Sequence, residues 1–196
     1  MEEKQLVKLA KGGDRRAFEA LVSSCAKEIY NLALRLCGDR HKAQDIAQDA
    51  FVNAYKSIAS FREDSPFAAW VRRIAVNAWK NTVRYEIRRF FTKHDSLDDN
   101  YESDDGEIKK QYASSDPPAD KVLEDRQKND SIYAVLAQLN PEAREMIVLR
   151  DMEEKSYEEI AAITGLNEGT VKSRIARARE AFKQKFIKMQ GEKNES

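Results

Sequence analysis

Cysteine and histidine are nearly absent: two of each in 196 residues, scattered rather than clustered. Cys25 and Cys37 stand outside any CxxC or His–Cys grouping and fall on the apolar side of a helical pattern. They read as buried, reduced thiols rather than a disulfide or a redox pair. His41 and His94 are isolated, so a metal site has no ligand set; no metal or other cofactor is expected. Long apolar runs are missing too. No window reaches the ~18 apolar residues of a membrane span, and no apolar segment follows Met1–Gln5. The expectation is a cytoplasmic protein with no membrane contact of its own. An excess of one charge is also absent, with 34 basic residues against 34 acidic ones. Taken as an average, that argues against a nucleic-acid partner.

What is present is helical patterning. Hydrophobic residues make up 41% of the chain and charged residues 35%, a balance that suits small helical units with solvated outer faces better than one large β-rich core. Phe18, Leu21, Val22, Cys25, Ile29, Leu32 and Leu36 recur at steps of three and four, forming one helical stripe. Gly12–Gly13 precedes that helix and Asp14 is a good N-cap. Gly38–Asp39 ends it and caps the next, whose stripe includes Ala43, Ile46, Ala50, Phe51 and Ile58. A third helix is expected from Ser65–Pro66, with serine as N-cap and proline at the first helical position. Its stripe runs Phe67, Trp70, Val71, Ile74, Ala75, Ala78, Trp79. Residues 1–93 thus form one all-helical unit.

From 94 to 130 the composition turns acidic, with Ser114–Ser115 and Asp116–Pro117–Pro118 and few large apolar groups, so this stretch is expected to be a flexible linker. A second helical unit, 131–190, opens with Ile132, Val135, Leu136 and Leu139, followed by a helix capped at Asn140–Pro141–Glu142. The predicted fold is therefore all-α: two small helical domains joined by a flexible acidic linker. Segment charges resolve the zero average. Residues 61–93 are net +5, 171–189 net +6, and 94–130 net −7. Two basic patches separated by an acidic strap suggest two contacts with a polyanion, which the strap avoids or imitates.

Ser156–Arg179 reads as a helix-turn-helix. Ser156–Tyr157–Glu158–Glu159 is a capping box. Tyr157, Ile160 and Ala161 face inward, Gly165 supplies a turn that needs positive φ, Leu166 plugs the corner and Asn167 caps the second helix. With Val171 and Ile175 anchoring that helix, Lys172, Ser173, Ala176 and Arg177 face outward, flanked by Arg174 and Arg179. A basic side chain there can reach guanine O6 and N7 while its neighbours clamp phosphates. In the first unit, a polar loop from Ser60 to Pro66 precedes a helix carrying Arg72, Arg73, Asn77, Lys80, Asn81 and Arg84. Amides and cations beside an aromatic suit unstacked bases. Phe61, in the loop, is the stacking candidate; Phe67, Trp70 and Trp79 read as core.

On these residues alone three other roles stay open. A stand-alone regulator would bind duplex operator, usually as a symmetric dimer, yet no apolar heptad run supports dimerisation. A recombinase-like enzyme would need a nucleophile or a carboxylate set; Asp45 and Asp49 lie one turn apart, but no third ligand converges. A pure interaction role would leave the basic second helix without a purpose.

Three separate motifs narrow the field. Asp45–Phe51, Ser60 through Trp70 and Arg73–Asn77 resemble the first domain of bacterial sigma factors. Pro141–Arg150, Tyr157–Ala161 and Gly169–Arg174 resemble the second, and the spacing is similar to the extracytoplasmic-function group. The resemblance implies a promoter-specificity subunit, not an enzyme, with core RNA polymerase and promoter DNA as partners and an anti-sigma factor as a regulator. It implies that Asp45, Gln48 and Asp49 dock on the polymerase clamp helices. Ser57, Phe61, Ile74, Asn77 and Asn81 would capture a flipped −10 base, and Lys172, Ser173, Arg174, Ala176 and Arg177 would serve the −35 element. The acidic stretch would thread the polymerase cleft. Val71 stands where primary sigma factors carry a second tryptophan beside the equivalent of Trp70, which implies a weaker melting wedge and stricter dependence on a good promoter. The missing intermediate domain implies no extended −10 recognition.

Overall fold

The computed structural model describes residues 2–95 and 131–194, and every regular element among them is helical. In order these are α1 (Glu3–Lys11), α2 (Arg15–Cys37), α3 (Arg40–Ser57), a 3₁₀ turn (Ile58–Ser60) and α4 (Phe67–Asp95). Then come α5 (131–138), α6 (Pro141–Ile147), a π-helical turn (Val148–Met152), α7 (Tyr157–Thr164) and α8 (Glu168–Asn194). The acidic connector lies, from residue 96 onward, outside the described residues. No helix among the described residues is long and apolar enough to cross a membrane.

Local chemistry sets the helix ends. Asp14 accepts the N–H groups of Arg16 (2.9 Å) and Ala17 (3.1 Å), and Asp39 that of Lys42 (2.8 Å), each satisfying first-turn donors with no intrahelical partner. Gly38 ends α2 at φ 73°, a conformation costly for a side-chain-bearing residue. α4 departs from the expected cap. It begins at Phe67, whose N–H donates to Glu3 Oε1 at 3.0 Å, so the acceptor at its start is a carboxylate of α1 and not the Ser65 hydroxyl. α1 is an amphipathic helix outside the stripes read from the sequence; its Val7 and Ala10 are buried against the other helices.

The periodic stripes form two connected cores. Phe18, Leu21, Cys25 and Ile29 of α2 pack with Ala50 and Ala54 of α3 and with Phe67, Val71 and Ala75 of α4. Burial pushes the Cys25 thiol up to about 11, so it stays protonated at neutral pH. The second core crosses between the two halves of the chain. Leu32, Leu36, Ile46, Val76 and Trp79 form one cluster with Leu136, Met146, Leu149, Ile160, Ile163, Val171 and Ile175. The two helical units therefore share a core in this structure, which sequence periodicity did not reveal.

Polar contacts register this joint. Lys80 Nζ lies 2.7 Å from Glu145 Oε1, whose side chain is 1% exposed. Arg35 donates to Met152 O at 3.1 Å and pairs with Glu153, and Arg144 donates to Leu36 O at 3.2 Å. The apolar part dominates. Trp79 is 1% exposed, and burying an indole of roughly 200 Å² contributes on the order of 5 kcal/mol. The ion pairs set alignment and contribute little net energy after desolvation. Lys80 is thereby engaged across the joint and is not free to follow a nucleic-acid backbone.

Burial pushes the Glu145 carboxyl above the usual range, opposed by Lys80. A carboxyl raised in the folded state favours folding most when protonated, so its contribution declines as pH rises through its folded pKa. Lys80→Met strands the carboxylate and should cost about 3 kcal/mol at pH 7.5. Denaturant melts should show part of that loss recovered at a lower pH, because protonation removes the stranded charge. A loss of equal size at both pH values would contradict the pairing.

Candidate nucleic-acid interface

The outward face of α8 is built from its buried one. Val171, Ile175 and Ala178 are buried at i, i+4 and i+7 against Ile160, Ile163 and Met146. Helical geometry then turns Lys172, Ser173, Ala176 and Arg177 to solvent, and all four are exposed. α7 fixes the angle at which this face is presented. The capping box closes both ways, with Ser156 N–H donating to Glu159 Oε2 (2.7 Å) and Glu159 N–H to Ser156 Oγ (3.1 Å). Gly165 sits at φ 75°, and Asn167 accepts the Thr170 N–H at 2.8 Å, starting α8.

Within the face, Arg177 Nε donates to Ser173 O at 3.3 Å, which holds the guanidinium along the helix. The Lys172 ammonium lies 5.4 Å from the Tyr157 ring centroid, and the Arg150 guanidinium lies 4.8 Å from the same ring. Tyr157 and Arg150 are thus supports that a search for outward residues passes over. The two flanking arginines behave differently from expectation. Arg174 is half-buried and pairs with Glu142 of α6 at 3.2 Å, and Arg179 forms a two-pronged pair with Asp151. Arg174 therefore belongs to the helix-packing side, because its position follows the buried Val171 by three residues.

In the N-terminal half, Ile74, Asn77 and Asn81 fall at i, i+3 and i+7 on α4 and so share a face. Both asparagines are exposed, while Ile74 is half-buried against the core that holds Phe61. Asn81 Oδ1 accepts from Arg84 at 3.4 Å. Ser57, at the end of α3, donates its hydroxyl to Asn53 O at 2.6 Å. Phe61 corrects the sequence reading. It is not an open loop ring: it is 3% exposed, stacked on Trp70 at 4.7 Å and edge-on to Phe67 at 6.2 Å. The 3₁₀ turn before it points the ring back into the core, a short-range feature that loop composition does not reveal. Phe67 and Trp79 are core residues as expected, each 1% exposed.

A cleft of about 870 Å³ separates the Ser60–Trp70 segment from Lys155, Glu159 and Ile163 of the C-terminal half. Arg72 lies beside it, 4% exposed and paired with Glu28. Burial lowers its pKa, while the carboxylates of Glu153 and Glu159 raise it. Asp45, Gln48 and Asp49 are exposed together on α3. Beside them runs an apolar groove of about 720 Å³, lined by Phe18, Val22, Phe51, Val52 and Tyr55 and bordered by Gln48. Val52 and Tyr55, 43% and 47% exposed, were missed because they lie off the buried stripe.

Two family models match the chain: one described as Sigma-70 region 2 over residues 21–89, and one described as Sigma-70, region 4 over residues 129–182. The chain is 37% identical to the RNA polymerase sigma-H factor of Pseudomonas aeruginosa, with 92% of each covered. It is 35% identical to the ECF RNA polymerase sigma-E factor of Escherichia coli, with 94% of each covered. Among solved structures, CnrH in complex with the cytosolic domain of CnrY is similar at a TM-score of 0.63 and 25% identity, over 93% of this chain and 95% of that one. The sigma factor RpoE in complex with the anti-sigma factor NepR, from Bartonella quintana, is similar at 0.62 and 26%, over 87% of this chain and 96% of that one.

The exposure contrast separates packing from contact. Phe61→Ala should lower stability by about 3–5 kcal/mol through the cavity it leaves. Asn77→Ala and Asn81→Ala should change it by less than about 0.5 kcal/mol. Thermal melts check this; equal losses at all three positions would contradict the assignment of Asn77 and Asn81 to a free face.

Proposed function

We propose, from the premise that this chain belongs to the sigma-70 family and within it to the extracytoplasmic-function group, that it grips a promoter at two points, through the residues described above. As a sigma factor it directs promoter-specific transcription initiation with core RNA polymerase. Sigma factors are not enzymes, and the polymerase supplies the chemistry. Residues 131–190 would be the −35 domain and 1–93 the domain for polymerase and the −10 element. The observation that carries the reading is the outward quartet Lys172, Ser173, Ala176 and Arg177, held in register by buried Val171 and Ile175. Lys172 and Arg177 are the base or phosphate contacts; Arg174 supports the helix from the side.

For the −10 element, Asn77 and Asn81 offer amides to base edges, with Ile74 and Ser57 beside them. Phe61 shapes the pocket from within the core instead of stacking openly. Asp45, Gln48 and Asp49 present acidic and amide groups suited to a basic coiled coil of the polymerase, and the adjoining groove adds apolar area.

A two-point grip requires the shared core to part. The two elements are centred roughly 25 base pairs apart, about 85 Å of B-DNA at ~3.4 Å per base pair. A compact chain of this length has a radius of gyration of only about 16 Å. The stretch 96–130 has a contour limit of about 115 Å, enough for the separation. Opening uncovers the Ser60–Trp70 segment, which faces Lys155 and Glu159 while the halves are joined. Polymerase docking is the event that holds the halves apart. An anti-sigma factor is the expected regulator, by extension from the RpoE–NepR complex, and the cytoplasm the expected location.

Run-off transcription with purified core polymerase on a genomic promoter library tests this reading, and specific initiation is the expected outcome. On a recovered promoter, Lys172→Ala or Arg177→Ala should cost about 1–3 kcal/mol of −35 discrimination if the residue reads a base, and weaken all sequences evenly if it holds phosphate. Asn77→Ala should spare closed-complex binding and slow opening. Normal opening with Asn77→Ala would refute base capture at that residue.

A further inference from the structure

We infer that α1 is a brace for the −10 loop, with Lys11 and Glu3 as positioning residues that hold the loop in its capturing shape. The inference deepens the promoter-capture reading above and rests on it. The loop between the 3₁₀ turn and α4 contains Glu63 at φ +60°, a region that side-chain-bearing residues rarely occupy. Such a conformation persists only where surrounding contacts over-determine it. The loop's own ion pair, Arg62 with Asp64 at 3.5 Å, has side chains 85% and 65% exposed, against 27% and 36% for Lys11 with Glu63, and is the weaker of the two.

The fixing contacts come from α1. Lys11 Nζ lies 2.5 Å from Glu63 Oε1, gripping the strained residue by its side chain. The same ammonium lies 5.9 Å from the centroid of the Phe61 ring. Eight residues earlier, Glu3 Oε1 accepts the Phe67 N–H at 3.0 Å, fixing where the loop ends and α4 begins. One short helix therefore holds the loop at its start, middle and end. α1 is itself anchored by Val7 and Ala10, 1% and 3% exposed, so the brace rests on the core. Without Lys11, Glu63 would relax toward negative φ, and that backbone movement would carry Phe61 away from Trp70 and Ile74, beside which Asn77 presents its amide. Lys11 acts through the loop and touches no base.

The test exploits the strain. Glycine occupies positive φ freely, so Glu63→Gly removes the need for the grip. With core polymerase and a promoter recovered by run-off selection, opening is followed by 2-aminopurine placed in the −10 non-template strand. Lys11→Met should slow opening about tenfold while leaving closed-complex affinity within twofold. Lys11→Arg and Lys11→Met/Glu63→Gly should both open at near the natural rate. In the free chain, hydrogen exchange at the Arg62–Ser65 amides should accelerate in Lys11→Met and return toward the natural rate in Lys11→Arg. Unchanged opening or unchanged exchange in Lys11→Met overturns the inference, as does a double variant that opens as slowly as Lys11→Met alone. If Asn77→Ala slows opening while Lys11→Met does not, the brace fails and base capture stands. If neither slows it, the capture reading itself is at fault.

Discussion

The packing of Trp79 and Val76 of α4 against Met146, Ile160 and Ile163 is the contact on which the rest of the arrangement depends. It makes one core from what the chain supplies as two helical units. Around it Lys80 meets Glu145, Arg35 meets the π-helical turn and Arg144 reaches the end of α2. Apolar burial dominates the energy of the joint and the ion pairs mainly set its alignment. A binding partner that separates the halves must replace the apolar burial that the two halves share and re-solvate a few charges.

The joint also gives the charge pattern a physical sense. A chain with no net charge binds a polyanion only if its basic groups are segregated from its acidic ones. In the joined form Glu153 and Glu159 stand near Arg72 across the cleft, and Glu145 occupies Lys80. Two cations of α4 are thus occupied within the protein, Arg72 by Glu28 and Lys80 by Glu145. The quartet on α8 remains open to solvent in the same form. Asn77 and Asn81 of α4 are exposed as well, whereas the Ser60–Trp70 segment beside them faces the C-terminal half across the cleft.

Much of this was legible in the residues alone. The buried stripes of α2, α3 and α4, the capping box at Ser156 and the left-handed Gly165 follow from local patterns that report on local structure. What stayed hidden depends on contacts between residues distant in sequence. Glu3 capping α4 and Lys11 holding Glu63 join positions more than fifty residues apart, and no period or spacing encodes such a meeting. Phe61 was misplaced because loop composition implies exposure, whereas a single 3₁₀ turn decides where the ring points. Arg174 looked like a neighbour of the reading face until Glu142 appeared on the adjoining helix. The joint was invisible for a related reason. Trp79 is an ordinary core residue of a helical stripe, and periodicity does not say against which half it packs.

On the proposed reading, one chain alternates between joined halves and a separated pair that spans the promoter. Energy transfer between dyes at Ser23 on α2 and Gln184 on α8, both exposed, measures it directly. The account predicts high transfer in the free protein and a large loss on assembly with core polymerase and promoter. Transfer that stays high in an actively initiating complex would contradict it.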